Sequence, residues 1–313
     1  MNEATVIIAA WSAERFISKS IQSALAQEDV SVQVIVVDDA SPDNTASAVA
    51  SFPDVTYERL PENGGPSVAR NAAIDLAGTE WVAVLDADDT LAPDSLKTLI
   101  GVAQDTQADI VLGNIVRVDE TGPGQAWLSG KAVPEGQMLS LAEYLGHDQF
   151  TSSSAKIGYL KPLFRKSALD RLSLRYDVTL RNSEDFHIIL RAIALGARVV
   201  VSGAPTYRYT VRAGSTSDRV APEIFEALHK ADRAFVQEFS SQLDDTARSL
   251  LQRRQVALRQ FIEVERIMGY LKGRDPGQAL RHFVRHPSVT GRLARQLSEA
   301  LYKRIFSHKF RSL

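Results

Sequence analysis

Cysteine is absent from the 313 residues, which excludes disulfides, thiolate nucleophiles and cysteine-ligated zinc and agrees with a reducing compartment. No apolar run approaches the roughly 18 residues that a membrane-spanning helix needs, so a polytopic membrane protein is excluded. No basic stretch followed by a small-residue cleavage site precedes the first apolar segment, Thr5 to Ala10. A secretory signal is therefore not expected, and the expected location is cytoplasmic. Hydrophobic residues make up 44% and charged residues 24% of the chain, a balance that excludes wholesale disorder and collagen-like repetition. No internal repeat is visible.

Charge is plentiful but unevenly placed. From Leu251 onward there are 14 Lys and Arg against 4 Asp and Glu, a surplus of 10. Before it there are 22 against 34, a deficit of 12. An acidic body thus carries a basic tail.

The body alternates apolar strand runs with helical patterns at short spacing. Strands are expected at Thr5 to Ala10, Val32 to Val37, Val55 to Leu60, Trp81 to Leu85 and Asp109 to Gly113. Ser12 and Ser41 are expected to cap helices, with Pro42 at a first helical position. A helix from about Ser67 to Leu76 ends at Gly78, and Pro93 opens another. Near-continuous Val and Ile runs of this kind belong to a mostly parallel sheet covered on both faces by helices, an α/β fold.

Residues 114 to 161 are less regular, with Gly122-Pro-Gly124, Pro134-Glu-Gly136 and Thr151-Ser-Ser-Ser154; loops of this kind form the variable wall of a site. An amphipathic helix then carries Phe186, Ile189, Leu190 and Ile193, and strands are expected at Arg198 to Ser202 and Thr206 to Val211. Helical patterning fills the rest of the chain.

In an open α/β sheet, ligands bind beyond the carboxyl ends of the strands. The residues there are acids: Asp38 and Asp39 after the second strand, and Asp86, Asp88 and Asp89 after the fourth. Each alone is a common turn residue. Together, carboxylates converging on one crevice repel one another unless a cation lies among them, and hard oxygen ligands favour Mg²⁺ or Mn²⁺. Such an ion completes its shell with phosphate oxygens, which points to a nucleotide.

Five motifs carry a family likeness. Val6-Ile-Ile-Ala-Ala-Trp-Ser12, Val36-Val-Asp-Asp-Ala-Ser-Pro-Asp-Asn-Thr45, Asn63-Gly-Gly-Pro-Ser-Val-Ala-Arg-Asn71, Val84-Leu-Asp-Ala-Asp-Asp89 and Ser183-Glu-Asp-Phe186 follow one another in order. In that order and spacing the chain resembles the family 2 glycosyltransferases, inverting enzymes of the GT-A fold. The resemblance spans roughly residues 4 to 217. It implies a catalytic domain over 1–217 and leaves 218–313 as a basic, mostly helical C-terminal extension.

The resemblance also implies roles. Asp86-Ala87-Asp88 is similar to the family's D-x-D element, with Asp88 a direct metal ligand and Asp86 on the ribose or metal side. Asp39 corresponds to the acid that reads the base or ribose, and Arg70 to a nucleotide-contacting arginine. Trp11 stands where the family has tyrosine, its flat face suited to stacking on uracil, and Ala9 stands where the family has proline. Asp185 is the expected general base, taking the proton of the acceptor hydroxyl, with Glu184 orienting the site or contacting the acceptor. Arg212, in place of a family histidine, cannot ligate a metal and is expected to contact the diphosphate. The implied donor is a UDP-sugar, the implied cofactor Mn²⁺ or Mg²⁺, and the implied acceptor a glycan or polyprenyl-diphosphate-linked oligosaccharide in bacterial exopolysaccharide or other surface-glycan assembly.

Three other enzyme or binding classes share some of these features. Leu85-Asp-Ala-Asp-Asp-Thr-Leu91 also matches the nucleophile motif of haloacid-dehalogenase-type phosphatases, with Asp86 as nucleophile. That motif lies on a first strand, whereas here an acidic pair and further strands precede it. A sugar-1-phosphate nucleotidyltransferase needs a glycine-rich, arginine-containing loop after the first strand, and Ala9-Ala-Trp-Ser12 is not one. A non-catalytic nucleotide-sugar-binding module is disfavoured because every motif acid is retained.

The basic tail has no nucleic-acid reader motif. Arg292, Arg295, Lys303, Arg304, Lys309 and Arg311 flank a stripe of Leu293, Leu297, Leu301 and Ile305. That pattern is expected either to pack its apolar stripe on the catalytic body as a solvated helical face or to place the protein peripherally on an anionic inner membrane face.

Overall fold

The computed structural model describes residues 2–119, 122–128, 135–147, 157–211 and 221–306. Strands β1 (Asn2–Ala10), β2 (Val30–Asp38), β3 (Thr56–Arg59) and β4 (Trp81–Asp86) alternate with helices α1 (Ile17–Leu25), α2 (Thr45–Val49) and α3 (Pro66–Leu76). After β5 (Thr90–Leu91) come α4 (Ser95–Thr106), β6 (Ile110–Asp119), β7 (Gly122–Ala126) and α5 (Leu141–His147). The body closes with β8 (Lys161–Arg165), α6 (Lys166–Arg171), α7 (Glu184–Ala194) and β9 (Val199–Thr210). Four helices follow: α8 (Pro222–Glu238), α9 (Asp245–Lys272), α10 (Pro276–Arg285) and α11 (Thr290–Phe306).

Among the described residues, nine strands form one sheet in the order β3-β2-β1-β4-β8-β6-β9-β5, with β7 beside β6. The expected parallel sheet is found over β3-β2-β1-β4. Beyond β4 the sheet is mixed, because β8 enters antiparallel between β4 and β6. It follows α5 in the chain and pairs antiparallel with both of its neighbours. The register levels Ala9 with Val37 and Asp86, and Ala10 with Asp38. The carboxyl ends of β1, β2 and β4 therefore form one rim.

Side-chain alternation splits the core between two faces. Ile7, Ile35, Val37, Val82 and Val84 pack with Ala69, Ala73 and Ile74 of α3 and with Phe186 and Ile189 of α7. Val6, Ile8, Val34, Val36, Ala83 and Leu85 pack on the other face with Ile17 and Ile21 of α1 and Leu96 and Ile100 of α4. Burial on both faces is why these strands read as unbroken apolar runs.

Several sequence expectations are corrected. Ser12 does not cap α1: it has φ 51°, and the helix begins only at Ile17. Ser41 and Pro42 precede α2 without entering it. The Ser41 N–H donates to Asp38 and its hydroxyl accepts from the Ser12 N–H, so both serines stitch loops together. The two strands expected at Arg198 to Val211 are one, β9. It continues through a register shift opposite Gly113, Asn114 and Ile115, where the Asn114 carboxamide donates to the Leu128 and Gly203 carbonyls and accepts from the Leu128 N–H. A Cβ at Gly113 would lie 2.5 Å from the Thr206 hydroxyl, so only glycine permits this approach.

Residue 217 lies outside the described residues, but the core does not stop there. Phe235, Phe239, Leu243, Ala247 and Leu251, from α8 to the start of α9, share the cluster that holds Ile7 and Phe186. Buried Asp232 on α8 accepts from Arg254 of α9 at 2.9 Å and lies 2.9 Å from His187 of α7. A smaller cluster of Val264, Ile267, Ala279, Val289 and Leu293 joins the far half of α9 to α10 and α11.

Candidate active site

The Asn63 to Asn71 segment works as a jig. At its start, the Asp39 carboxylate accepts from the Gly64 N–H at 2.7 Å, the Gly65 N–H at 2.8 Å and the Asn63 side chain at 2.8 Å. Gly65, at φ 93°, makes the turn that Pro66 then locks into the first turn of α3. Along the helix, Ser67 donates to the Leu180 carbonyl, while the Asn71 side chain pairs with both the carbonyl and the N–H of Tyr176. Arg181 donates back to Asn63. These bonds fix the chain leading into α7, and with it Glu184 and Asp185 in the first helical turn.

Arg70, buried and on the same helix face, then meets three carboxylates. Its guanidinium donates to Asp86 at 2.7 Å, Glu184 at 2.7 Å and Asp185 at 3.2 Å. Lys161, at the start of β8, donates to Asp86 at 2.7 Å and Asp185 at 3.0 Å. The structure thus brings Arg70, Asp86, Glu184 and Asp185 into one cluster. Burial pushes the Asp86 carboxyl up, but Lys161 and Arg70 outweigh it and hold Asp86 below the ordinary carboxylate range. For Glu184 burial prevails over Arg70, and its carboxyl is raised.

The Asp86–Asp89 turn is pinned from the far side of the sheet. Tyr207 of β9 accepts from the Asp86 N–H at 3.0 Å and donates to Asp89 at 2.8 Å. Ser20 donates to the carbonyls of Ala87 and Asp89. Asp89 is buried and structural, pushed up to about 8 by burial and by the neighbouring charges of Asp86 and Asp88. Asp88 stays partly exposed at the turn. Its hard oxygen donors, two residues beyond Asp86 on the same turn, are of the type that a divalent metal ion takes.

Trp11, just past β1, is 57% exposed, a flat surface and no part of the core. Ala9 lies within the rim beside Asp86. Asp38 is a structural anchor, taking Tyr57, Arg59 and the Ser41 N–H. Arg212 and the Gly214-Ser-Thr-Ser217 stretch lie outside the described residues, as do Thr151 to Ser154, Lys309, Arg311 and the side chains of Leu301, Lys303, Arg304 and Ile305. Sequence reasoning missed Lys161, Tyr176 and Tyr207. Tyr207 had an aromatic strand pattern as its only signal, and Lys161 had none.

The sequence profile described as Glycosyl transferase family 2 matches residues 5–170, half of the chain and more. The chain belongs to glycosyl transferase family 2. It is an enzyme that transfers a sugar from a nucleotide-sugar donor. Among curated proteins this glycosyltransferase is similar to the succinoglycan biosynthesis protein ExoO of Rhizobium meliloti, 34% identical over 96% of this chain and 86% of that protein. ExoU of the same organism is 32% identical over 91% and 85% respectively. Two solved structures share its fold. S. aureus TarS 1-349 in complex with UDP-GlcNAc matches with TM-score 0.62 and 19% identity over 93% of this chain and 92% of that one. The mannosyltransferase PcManGT from Pyrobaculum calidifontis, in complex with GDP-Man and Mn²⁺, matches with TM-score 0.57 and 18% identity over 96% and 81%. The architecture of this family 2 glycosyltransferase is therefore GT-A with a helical C-terminal region.

Proposed function

We propose that the protein is an inverting, metal-dependent transferase that moves a sugar from a UDP donor to a hydroxyl of a growing exopolysaccharide unit. One observation carries this reading: Asp86 and Asp185, from distant parts of the chain, converge on the same two cations at the rim formed by β1, β2 and β4. The likeness to ExoO and ExoU, proteins named for succinoglycan biosynthesis, supports the polymer class.

In this reading Trp11 stacks on the uracil and Asp39 reads the base or ribose. Asp39 has one acceptor position left after its three backbone and side-chain donors. A divalent ion held by Asp88, when bound, supplies positive charge to the diphosphate that leaves. Asp185 takes the acceptor proton, and Lys161 and Arg70 fix the direction in which its oxygens point. Glu184 anchors Arg70. Arg212 contributes a charge-assisted hydrogen bond to the diphosphate.

The acceptor is a glycan or a polyprenyl-diphosphate-linked oligosaccharide, the latter met at the anionic inner membrane face. Among the described residues no helix is long and apolar enough to cross a membrane. The tail's expected stripe is partly used inside the protein, since Leu293 is buried with Val264 and Val289. Leu280 and Val284 of α10 instead lie 63% and 67% exposed, one turn apart beside the exposed Arg281 and Arg285.

Replacing Asp185 with Asn tests the assignment. Sugar transfer from UDP-sugars falls by about 10²–10⁴-fold, while UDP affinity in the presence of Mn²⁺ stays within about threefold. Transfer at the wild-type rate would remove Asp185 as the base.

A further inference from the structure

Away from the rim, α9 and α10 meet at three side chains that the sugar chemistry does not use. Glu263 on α9, His282 on α10 and His286 at the end of α10 each bring one ligand atom to within 4.8 Å of the others. The histidines stand four residues apart, a spacing that puts them on one helix edge. Their rings lie 4.7 Å apart between centroids, tilted by 32°. Both Nε2 atoms face the same Glu263 oxygen, at 2.6 Å for His282 and 3.8 Å for His286. All three residues are half-buried.

We propose that Glu263, His282 and His286 form a zinc site that fastens α10 to α9. One hydrogen bond to a carboxylate oxygen needs one imidazole; here two are aimed at it. In a tetrahedral zinc centre, with bonds of about 2.0–2.1 Å, neighbouring ligand atoms stand about 3.3 Å apart. The two His–Glu263 separations of 2.6 Å and 3.8 Å straddle that value and all three ligand atoms lie within 4.8 Å of one another, so the site closes if the side chains draw together around the ion. Two imidazoles and one carboxylate suit zinc, with water in the fourth position. Arg266 does not displace the ion. Its guanidinium lies 3.3 Å from the other Glu263 oxygen and 3.4 Å from the oxygen that the histidines face, and is also paired with Glu226; zinc binding would loosen the longer contact and leave Arg266 as an outer partner of the carboxylate.

The site shares no residue with Asp86, Asp88 or Asp185, and α10 is the helix that exposes Leu280 and Val284. Zinc there would set how that basic, apolar face is presented.

The test is calorimetric titration of the full chain, stripped with EDTA, with zinc alone, alongside His286→Ala, Glu263→Gln and Asp88→Ala. His286 is 40% exposed at its side chain, so its loss leaves the fold intact. One zinc, independent of any ion held at Asp88, binds per chain in the wild type and in Asp88→Ala, and that binding weakens by at least about tenfold in the other two variants. Zinc raises the unfolding temperature only of the proteins that keep all three ligands. No zinc binding, binding undiminished in His286→Ala and Glu263→Gln, or binding lost only in Asp88→Ala would overturn the proposal.

Discussion

Lys161 stands 3.0 Å from Asp185 and carries the antiparallel strand β8 into the acid cluster that the parallel strands prepare. The same ammonium reaches Asp86 at 2.7 Å, so one side chain sets the spacing between the turn after β4 and the first turn of α7.

Loss of that ammonium leaves Asp86 and Asp185 to Arg70 alone. For Lys161→Met the expected result is a fall in kcat of about a hundredfold, because a carboxylate displaced by about an ångström loses alignment with the acceptor hydroxyl. Donor KM moves less, and Lys161→Arg recovers part of the rate. Steady-state kinetics with donor and acceptor varied separately checks this; an unchanged kcat in Lys161→Met denies Lys161 its positioning role.

The parallel half of the sheet and the order of its acids were legible because burial on both faces leaves unbroken apolar runs that end in carboxylates. Asp86 could be singled out for the same reason, whereas Arg70, Glu184 and Asp185 stood out only through motifs that resemble those of the family. Lys161 could not be found that way. A lone lysine after an irregular stretch has no periodic signal, and only the antiparallel insertion of β8 beside β4, with Ala83 opposite Leu163, carries it to the site. Ser12 and Ser41 looked like helix caps because loop-stitching and capping use the same short hydroxyl side chains.

The Asp232 anchor gives a pH-dependent prediction. Burial raises its carboxyl, but Arg254 and His187 outweigh it and hold it below 3.8. A depressed pKa contributes stability that is present above the unfolded value and lost as pH falls through the folded one. Asp232→Asn, which leaves Arg254 buried without its partner charge, should therefore cost about 3–5 kcal/mol near neutral pH. The gap to wild type narrows below about pH 4. Chemical denaturation at several pH values measures it, and a gap independent of pH would contradict the assignment.

Membrane docking through α10 makes a separate expectation. The full chain binds vesicles containing anionic lipid in a salt-sensitive manner, and the double change Leu280→Glu and Val284→Glu weakens that binding by at least about tenfold. Both side chains are exposed, so the unfolding temperature stays put. Equal sedimentation of wild type and variant with the vesicles would reject the surface.

Calorimetry with UDP, in the presence and absence of Mn²⁺, tests the central claim most directly. The rim at β1, β2 and β4 is predicted to bind nucleotide and metal together, each strengthening the other by at least about tenfold. Asp88→Ala abolishes the enhancement while leaving metal-free UDP binding nearly intact. Equal UDP affinity with and without the metal, or full enhancement in Asp88→Ala, would contradict it.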